Sequence, residues 1–553
     1  MTTGSRRPTA SSGGTTERFD VVVIGSGFGG AVVACRLAMA GRSVCVVERG
    51  KRWEAADFPR SAGQVAEGFW QEGRSYGFLE YLAFRRIDVI QGAGVGGGSL
   101  HYFNVNLPAS ERIFRHPTWP GSITRDALDP FYASATTMLE SAPLVPPPER
   151  RGELPARTVA FLAAARRAGH EPDLVPIAVH TGAERERPDG RRDRPCTYCG
   201  NCLFGCDIGA KKTLDRNYLA VAERHGAEVR PLHVAEAIRP RAAGGYQVDV
   251  RVLDATPGAP STPTTLQCEQ VVVAAGSLGS TRLLLRCRDE LGTLPALGRA
   301  LGSRFSLNGE LLFAHTKRTT ARVDPGLGPP ITARVTATSG DLTATIQDLG
   351  VPDALLWYLE GAVPMPFARM KALARALVDY LRRANGGGAG GSLAVRLDAL
   401  VAEPRTARTL PYLGMGTDSS DGEMSLRRGE LAIRWRSRPN RELYRLMDDT
   451  LRALSAGAGG RYVPSILARW PLRRILTAHP LGGCPMGDDP ATSVVDDRGQ
   501  AHAYPGLFVV DGSMIPAALA VNPSLTIAAL AERAAAAMVT RARAGAELVP
   551  LDR

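Results

Sequence analysis

The chain has 553 residues, yet only five are lysine and 6% are aromatic. It has no apolar run of the roughly 20 residues needed to cross a bilayer, which argues against a membrane-spanning helix. Arg6-Arg7 is followed by no apolar stretch, so no secretion signal is read and the expected location is the cytoplasm. No basic block is interleaved with aromatics. The net charge of +12 therefore reads as arginine-rich, GC-rich coding, and no nucleic-acid partner is expected. Disulfides are not expected in an unsecreted chain, and four of the nine cysteines crowd together, which favours metal binding, redox chemistry or packing. The length is too great for one compact core, so two or more domains are expected.

Residues 1–17 are polar and read as a disordered tail. The next stretch carries more information. Asp20-Val21-Val22-Val23-Ile24 is a β-branched run of the kind buried in parallel sheets. Gly25-Ser26-Gly27-Phe28-Gly29-Gly30 follows, and a helix of small residues begins. In this pattern Gly25 allows a tight turn and Gly27 lets the backbone approach a pyrophosphate. Gly30 permits close helix–strand packing, and the helix N-terminus attracts phosphates. A second strand, Val44 to Val47, ends at Glu48, spaced to hydrogen-bond ribose hydroxyls. The whole unit predicts an adenine dinucleotide site without separating FAD from NAD.

A second glycine-rich loop spans Gly92 to Ser99, where so many small residues suit backbone lying against a flat ligand. A helix is predicted over Leu128 to Leu139, and residues 181–195 read as charged and exposed. Val271-Val272-Val273 forms another buried strand. Such strands recurring far apart predict one parallel sheet built from separated segments. Alternation over 331–350 and 394–436 predicts an antiparallel sheet in a second domain. A last strand and turn at Val509 to Ser513 precedes an alanine-rich helix, Leu525 to Met538.

Cys196, Cys199, Cys202 and Cys206 have the spacing C-x2-C-x2-C-x3-C found in bacterial ferredoxins. Asp207 rather than proline follows the fourth cysteine, and only one such run exists. An iron-sulfur cluster, a zinc site and a reduced structural loop all remain open. Phe367, Met370, Leu373, Leu377 and Leu381 share one helical face, with arginines mostly elsewhere, and a glycine-rich link follows. That segment suits either a helix packed on the second domain or peripheral contact with a membrane. Trp357, Tyr358 and Phe367 are candidate liners of an apolar pocket.

Val21 to Glu48, Gly94 to Ser99, Ala274 to Leu285, His479 to Gly487 and Phe508 to Leu530, in this order, resemble the glucose-methanol-choline (GMC) oxidoreductases, most of all their cholesterol-oxidase-like branch. The resemblance implies FAD, and an α/β Rossmann-type FAD domain with a parallel sheet interrupted in sequence (18–115, 216–312 and 476–545). It also implies an α+β substrate domain with an antiparallel sheet (116–215 and 313–475, cysteine loop included).

The matching positions for the pair above the flavin ring are His479 and Asn522. Gly94, Gly97, Gly98 and Ser99 would lie against the flavin, with Asp511-Gly512 and Pro523 also at the cofactor. His101 stands where some GMC oxidases attach FAD covalently, although cholesterol-oxidase relatives do not. A neutral histidine can accept a hydroxyl proton, and an asparagine amide can hydrogen-bond a growing alkoxide.

The implied activity is oxidation of a sterol or other bulky hydrophobic alcohol, with oxygen or another acceptor taking the electrons. Dehydrogenation of a natural-product or sugar alcohol is the nearest alternative, and a GMC-type lyase with structural FAD is the alternative of another class. Glu310 and Glu360 are candidate carboxylate bases for an accompanying double-bond shift.

Overall fold

The computed structural model describes residues 17–547, except 61, 66–67, 147–151, 188–189, 353–354, 356–403 and 466–473. Of the 1–17 tail, residues 1–16 lie outside the described residues, as do the 367–383 segment with its glycine-rich link, Trp357, Tyr358 and Glu360; Glu17 instead opens the first strand. No helix among those described is long and apolar enough to cross a membrane.

Two architectures share the chain. The first is a seven-stranded sheet whose parallel part runs Glu228–Arg230, Val44–Val47, Glu17–Ile24, Thr262–Val273 and Leu507–Val509. Strands far apart in sequence thus become neighbours, as the recurring buried runs predict. The strand Thr262–Val273 is long enough to do two jobs on one edge. Its C-terminal end pairs in parallel with Leu507–Val509, and its N-terminal part pairs antiparallel with Tyr246–Val252, which continues to His233–Pro240.

The helix Phe28–Met39 follows the first strand and packs against Ser524–Glu547. Its first turn comes very close to the sheet. A Cβ on Gly29 would stand 1.6 Å from the Val510 carbonyl oxygen, and one on Gly30 would stand 2.0 Å from that of Gly25. Arg36 also binds Glu532 through two hydrogen bonds of 2.7 and 2.8 Å, and Tyr218 donates to the same carboxylate.

The second architecture is a six-stranded sheet ordered Arg461–Val463, Leu311–Lys317, Thr409–Gly416, Leu342–Asp348, Ala333–Ser339 and Asp173–Leu174, with every pair antiparallel. The helices Ala156–Arg167 and Arg441–Gly457 cover one face. Phe161, Leu443, Met447 and Leu451 pack there against Val335, Ile346 and Tyr412. The alternating stretch at 423–434 forms its own hairpin instead of joining this sheet, and 394–403 lies outside the described residues.

Three sequence expectations are corrected. The helix predicted from Leu128 begins at Arg125, because Thr124 caps it by accepting from the Ala127 N–H at 3.2 Å. It packs on Ser524–Glu547, away from the antiparallel sheet. The final helix runs to Glu547, beyond Met538. Within 181–195, Asp193 is fully buried. Burial alone would raise its pKa, but Lys212, Arg187 and Arg185 outweigh that and hold it at about 2.

Candidate active site

The first glycine loop performs three separate tasks. Gly25 has φ +99°, in the left-handed region, and a side chain there would meet Ala274 O at 2.4 Å. Gly27 has ordinary extended backbone, and a Cβ built on it meets nothing within 4 Å. No described residue therefore requires its lack of a side chain, and the space beside it is open to a ligand. Gly30 serves packing.

Glu48 is buried at the end of the second strand. Its Oε2 accepts from the Ser26 N–H (3.1 Å) and hydroxyl (2.7 Å), and its Oε1 accepts from the Gly50 N–H at 3.0 Å. Ser26 Oγ in turn accepts from the Gly96 N–H at 3.0 Å, joining the two glycine loops. A Cβ on Gly97 would stand 2.7 Å from the Gly27 Cα, so the loops touch.

These loops border a cavity of about 490 Å³. Gly25, Gly27, Glu48, Gly97, Gly98 and His101 line it from one side. His479, Asp511, Gly512, Asn522 and Pro523 line it from another. Three predicted residues stand behind the wall. Gly30 packs helix on strand, Gly94 abuts Leu100 and Trp53, and Ser99 Oγ is used up by Gly96 O and the Leu214 N–H.

Asp511 ties the last strand to the helix Gly276–Leu285. Its Oδ2 accepts from the Gly276 N–H at 2.8 Å and from Ser280 Oγ, while Oδ1 accepts from the Ser513 N–H at 2.8 Å. Burial pushes its pKa up, against the pull of these donors. His101 is buried with no partner on Nε2, and burial first, then Lys211 and His479, lower its pKa to about 3. It is therefore a neutral ring at the cavity wall.

The strand Ile475–Thr477 carries His479 into place by pairing in parallel with Ile87–Gly92, the strand that feeds the second glycine loop. The glycines after His479 fit the turn. Gly482 has φ +78°, and a Cβ there would stand 1.9 Å from Arg304 O. The His479 side chain keeps 16% exposure, and its Nδ1 is buried 3.2 Å from Glu310 Oε2.

Asn522 precedes the final helix. Its Oδ1 accepts from Gln347 Nε2 at 2.8 Å, which leaves its own NH₂ as the donor for a ligand. Asn308 holds the segment before it. The Asn308 amide donates to Val521 O (2.8 Å), and its carbonyl accepts from the N–H groups of Leu519 (2.9 Å) and Ala520 (3.0 Å).

The antiparallel sheet supplies an apolar wall from Leu312, Phe313 and Leu413. Phe313 sits at a register shift between the strands 311–317 and 409–416, with φ +65°. A bulge of this kind re-aims a side chain out of the regular pleat.

Sequence reasoning missed Ser26, Gln347, Asn308 and Phe313. Asn308-Gly309 carried a turn signal, since adjacent Asn and Gly favour positive φ, and both residues have it. The other three carried none.

The four clustered cysteines line one narrow cavity beside Lys211. Lys211 Nζ donates to Leu100 O (2.9 Å) and Cys202 O (2.8 Å), and burial lowers its pKa to about 8. Burial raises Cys202 to about 11. Among the described residues, no three His, Cys, Asp or Glu side chains converge to hold a single metal ion.

Known families match this arrangement. The model of the FAD dependent oxidoreductases matches residues 20–307, and that of the GMC oxidoreductases matches 420–531. A cholesterol oxidase of Mycobacterium tuberculosis is 31% identical, over 94% of this chain and 90% of its own. The chain belongs to the GMC oxidoreductase family. Within it, the chain falls in the cholesterol-oxidase-like branch and is an FAD-dependent oxidoreductase of CH-OH groups. A cholesterol oxidase of Acinetobacter baumannii is 30% identical, over 93% of each chain. The fold is that of the pyridoxine 4-oxidase from Mesorbium loti, at TM-score 0.61 and 16% identity over 94% of this GMC chain and 99% of the other.

FAD fits the residues present. The open space over Gly27 suits a pyrophosphate. The bare backbone of Gly98 and the neutral ring of His101 line the cavity where a flat ring system would lie.

Proposed function

We propose that this protein oxidises a bulky hydrophobic alcohol, a sterol or steroid being the best fit, with His479 as the base. The observation that carries the reading is the meeting of His479 and Asn522 on one cavity wall, facing both glycine loops and an apolar surface. Gly25, Gly27, Glu48, Gly97, Gly98, His101, Asp511 and Gly512 would hold FAD, and bound FAD supplies the acceptor for the carbinol hydride. His479 takes the hydroxyl proton through Nε2, because Nδ1 is turned into the protein toward Glu310. The Asn522 amide, oriented by Gln347, donates to the alcohol oxygen and stabilises the charge that grows there as the proton leaves.

Leu312, Phe313 and Leu413 form a wall that favours an apolar substrate body. Two relatives named cholesterol oxidase, each similar over most of the chain, support the sterol class. The test is an anaerobic screen of flavin reduction across sterols, fatty alcohols and sugars. Sterols should bleach the yellow flavin fastest. Bleaching by sugars alone would overturn the substrate class, and bleaching by no alcohol would favour a lyase with structural FAD. Oxygen uptake during turnover then identifies the acceptor.

A further inference from the structure

Glu310 stands beside His479 and lines the same cavity. Its side chain is 1% exposed. One oxygen, Oε2, accepts from the Thr477 hydroxyl (2.6 Å), the Ala478 N–H (2.8 Å) and the His479 N–H (3.2 Å). The same oxygen stands 3.2 Å from His479 Nδ1, an ion-pair distance without hydrogen-bond alignment. The other oxygen, Oε1, is buried and makes no hydrogen bond among the described residues. His479 is the only ion-pair partner of Glu310 among those residues. That places a buried carboxylate 3.2 Å from the ring with little else beside it to balance its charge.

We infer that Glu310 is a positioning residue for His479, fixing the ring and offsetting the charge it acquires as a base. The inference rests on the reading of His479 given above. In the proton step, the O–H bond of the alcohol breaks and an N–H bond forms at Nε2. The ring becomes an imidazolium whose Nδ1 edge lies beside Glu310. The proton later leaves Nε2 for solvent, and Glu310 neither gains nor loses one. Three donors from residues 477–479 clamp Oε2, so the carboxylate is held in place before substrate arrives, and little reorganisation is needed when the charge appears. Among the described residues, His101 is a further titratable group that interacts with the ring, and it lines the same cavity. Tyr444 and Asp418 stand further back.

The geometry also supplies a clean test. Glu310→Gln keeps an acceptor oxygen for the three donors. Its amide nitrogen goes where Oε1 now stands without a partner, so the charge is removed with little change in shape. Histidine-labelled holoenzyme would be followed by ¹⁵N NMR without substrate, with the His479 signal assigned by its loss in His479→Ala. Between about pH 5 and 8, where an imidazole changes charge, the imidazolium fraction of His479 should be smaller in Glu310→Gln than in wild type.

In stopped flow, the limiting rate of flavin reduction should fall about 10- to 1000-fold, the scale of an opposite charge acting on a proton equilibrium at this range. The apparent substrate Kd should change little. Glu310→Asp, which keeps the charge but withdraws it, should fall between the two. Equal imidazolium fractions in wild type and Glu310→Gln, at equal FAD content, would overturn the inference. If the Gln variant fails to take up FAD, the same comparison is made with Glu310→Asp, where a wild-type imidazolium fraction together with a wild-type rate overturns it. A wild-type flavin that no alcohol reduces would overturn the reading of function instead, while the substrate-free NMR still decides on Glu310.

Discussion

Gly27→Ala should separate folding from flavin binding. The backbone at Gly27 has φ −73° and ψ −166°, which alanine adopts freely, and the added methyl meets nothing in the protein within 4 Å. Flavin-stripped protein should therefore be as stable as wild type, or more stable by about 0.4–1 kcal/mol, because alanine restricts the unfolded chain. In the holoprotein the methyl occupies the place of the pyrophosphate. Suppose the affinity for FAD falls about 100-fold, a loss of roughly 2.7 kcal/mol. At a flavin concentration about 100 times the wild-type Kd, FAD then stabilises wild type by about 2.7 kcal/mol and the variant by only about 0.4 kcal/mol.

Denaturant melts with and without FAD measure both quantities, and a fluorescence titration gives the affinity directly. Gly30→Ala is the contrasting control. Its methyl would stand 2.0 Å from Gly25 O, so stability should fall by about 1–3 kcal/mol even without flavin. Wild-type FAD affinity in Gly27→Ala would refute the placement of the pyrophosphate. A loss of stability in its flavin-free form as large as that of Gly30→Ala would refute the claim of open space.

His479→Ala should retain FAD and slow anaerobic flavin reduction by roughly 100-fold or more, the scale of a lost general base; a normal rate removes His479 from the proton step. Gln347→Leu should slow the same step about 2- to 10-fold, since the hydrogen bond that orients Asn522 contributes about 0.5–1.5 kcal/mol, and an undiminished rate would show that Asn522 needs no such support. Anaerobically purified protein is expected to contain neither iron nor acid-labile sulfide. Stoichiometric amounts of both, lost in Cys199→Ser, would assign the cysteine loop to a cluster instead.

What could be read in the sequence follows the range of the forces involved. Gly25 and Gly30 were legible because each answers a local demand of turn or packing that only glycine meets. Val21 to Ile24 and Val271 to Val273 were legible because a strand buried on both faces must be apolar throughout. The start of the helix at Arg125 was obscured because Pro130, a residue suited to a first turn, lies further inside it, while Thr124 is the cap. Asp193 read as exposed because Lys212, which does most to neutralise it beside Arg185 and Arg187 of its own segment, comes from beyond the cysteine loop. Gln347 and Phe313 left no trace in pattern. A polar residue in a buried strand and a bulge with positive φ gain meaning only from what the fold sets opposite them.

The pairing of Leu507–Val509 with Thr262–Val273 has a consequence for the order in which the chain acquires its function. During synthesis the first glycine loop emerges long before the strand beside its sheet, the carboxylate of Asp511, the Asn522 side chain and the helix that packs on Phe28–Met39. A ribosome-bound chain therefore carries half a nucleotide cradle for most of its translation. Contacts between segments so far apart in sequence form slowly, and such a chain depends on staying unaggregated until its last part is released. A chain cut short upstream of Leu507 should therefore fail to retain flavin, however intact its first glycine loop.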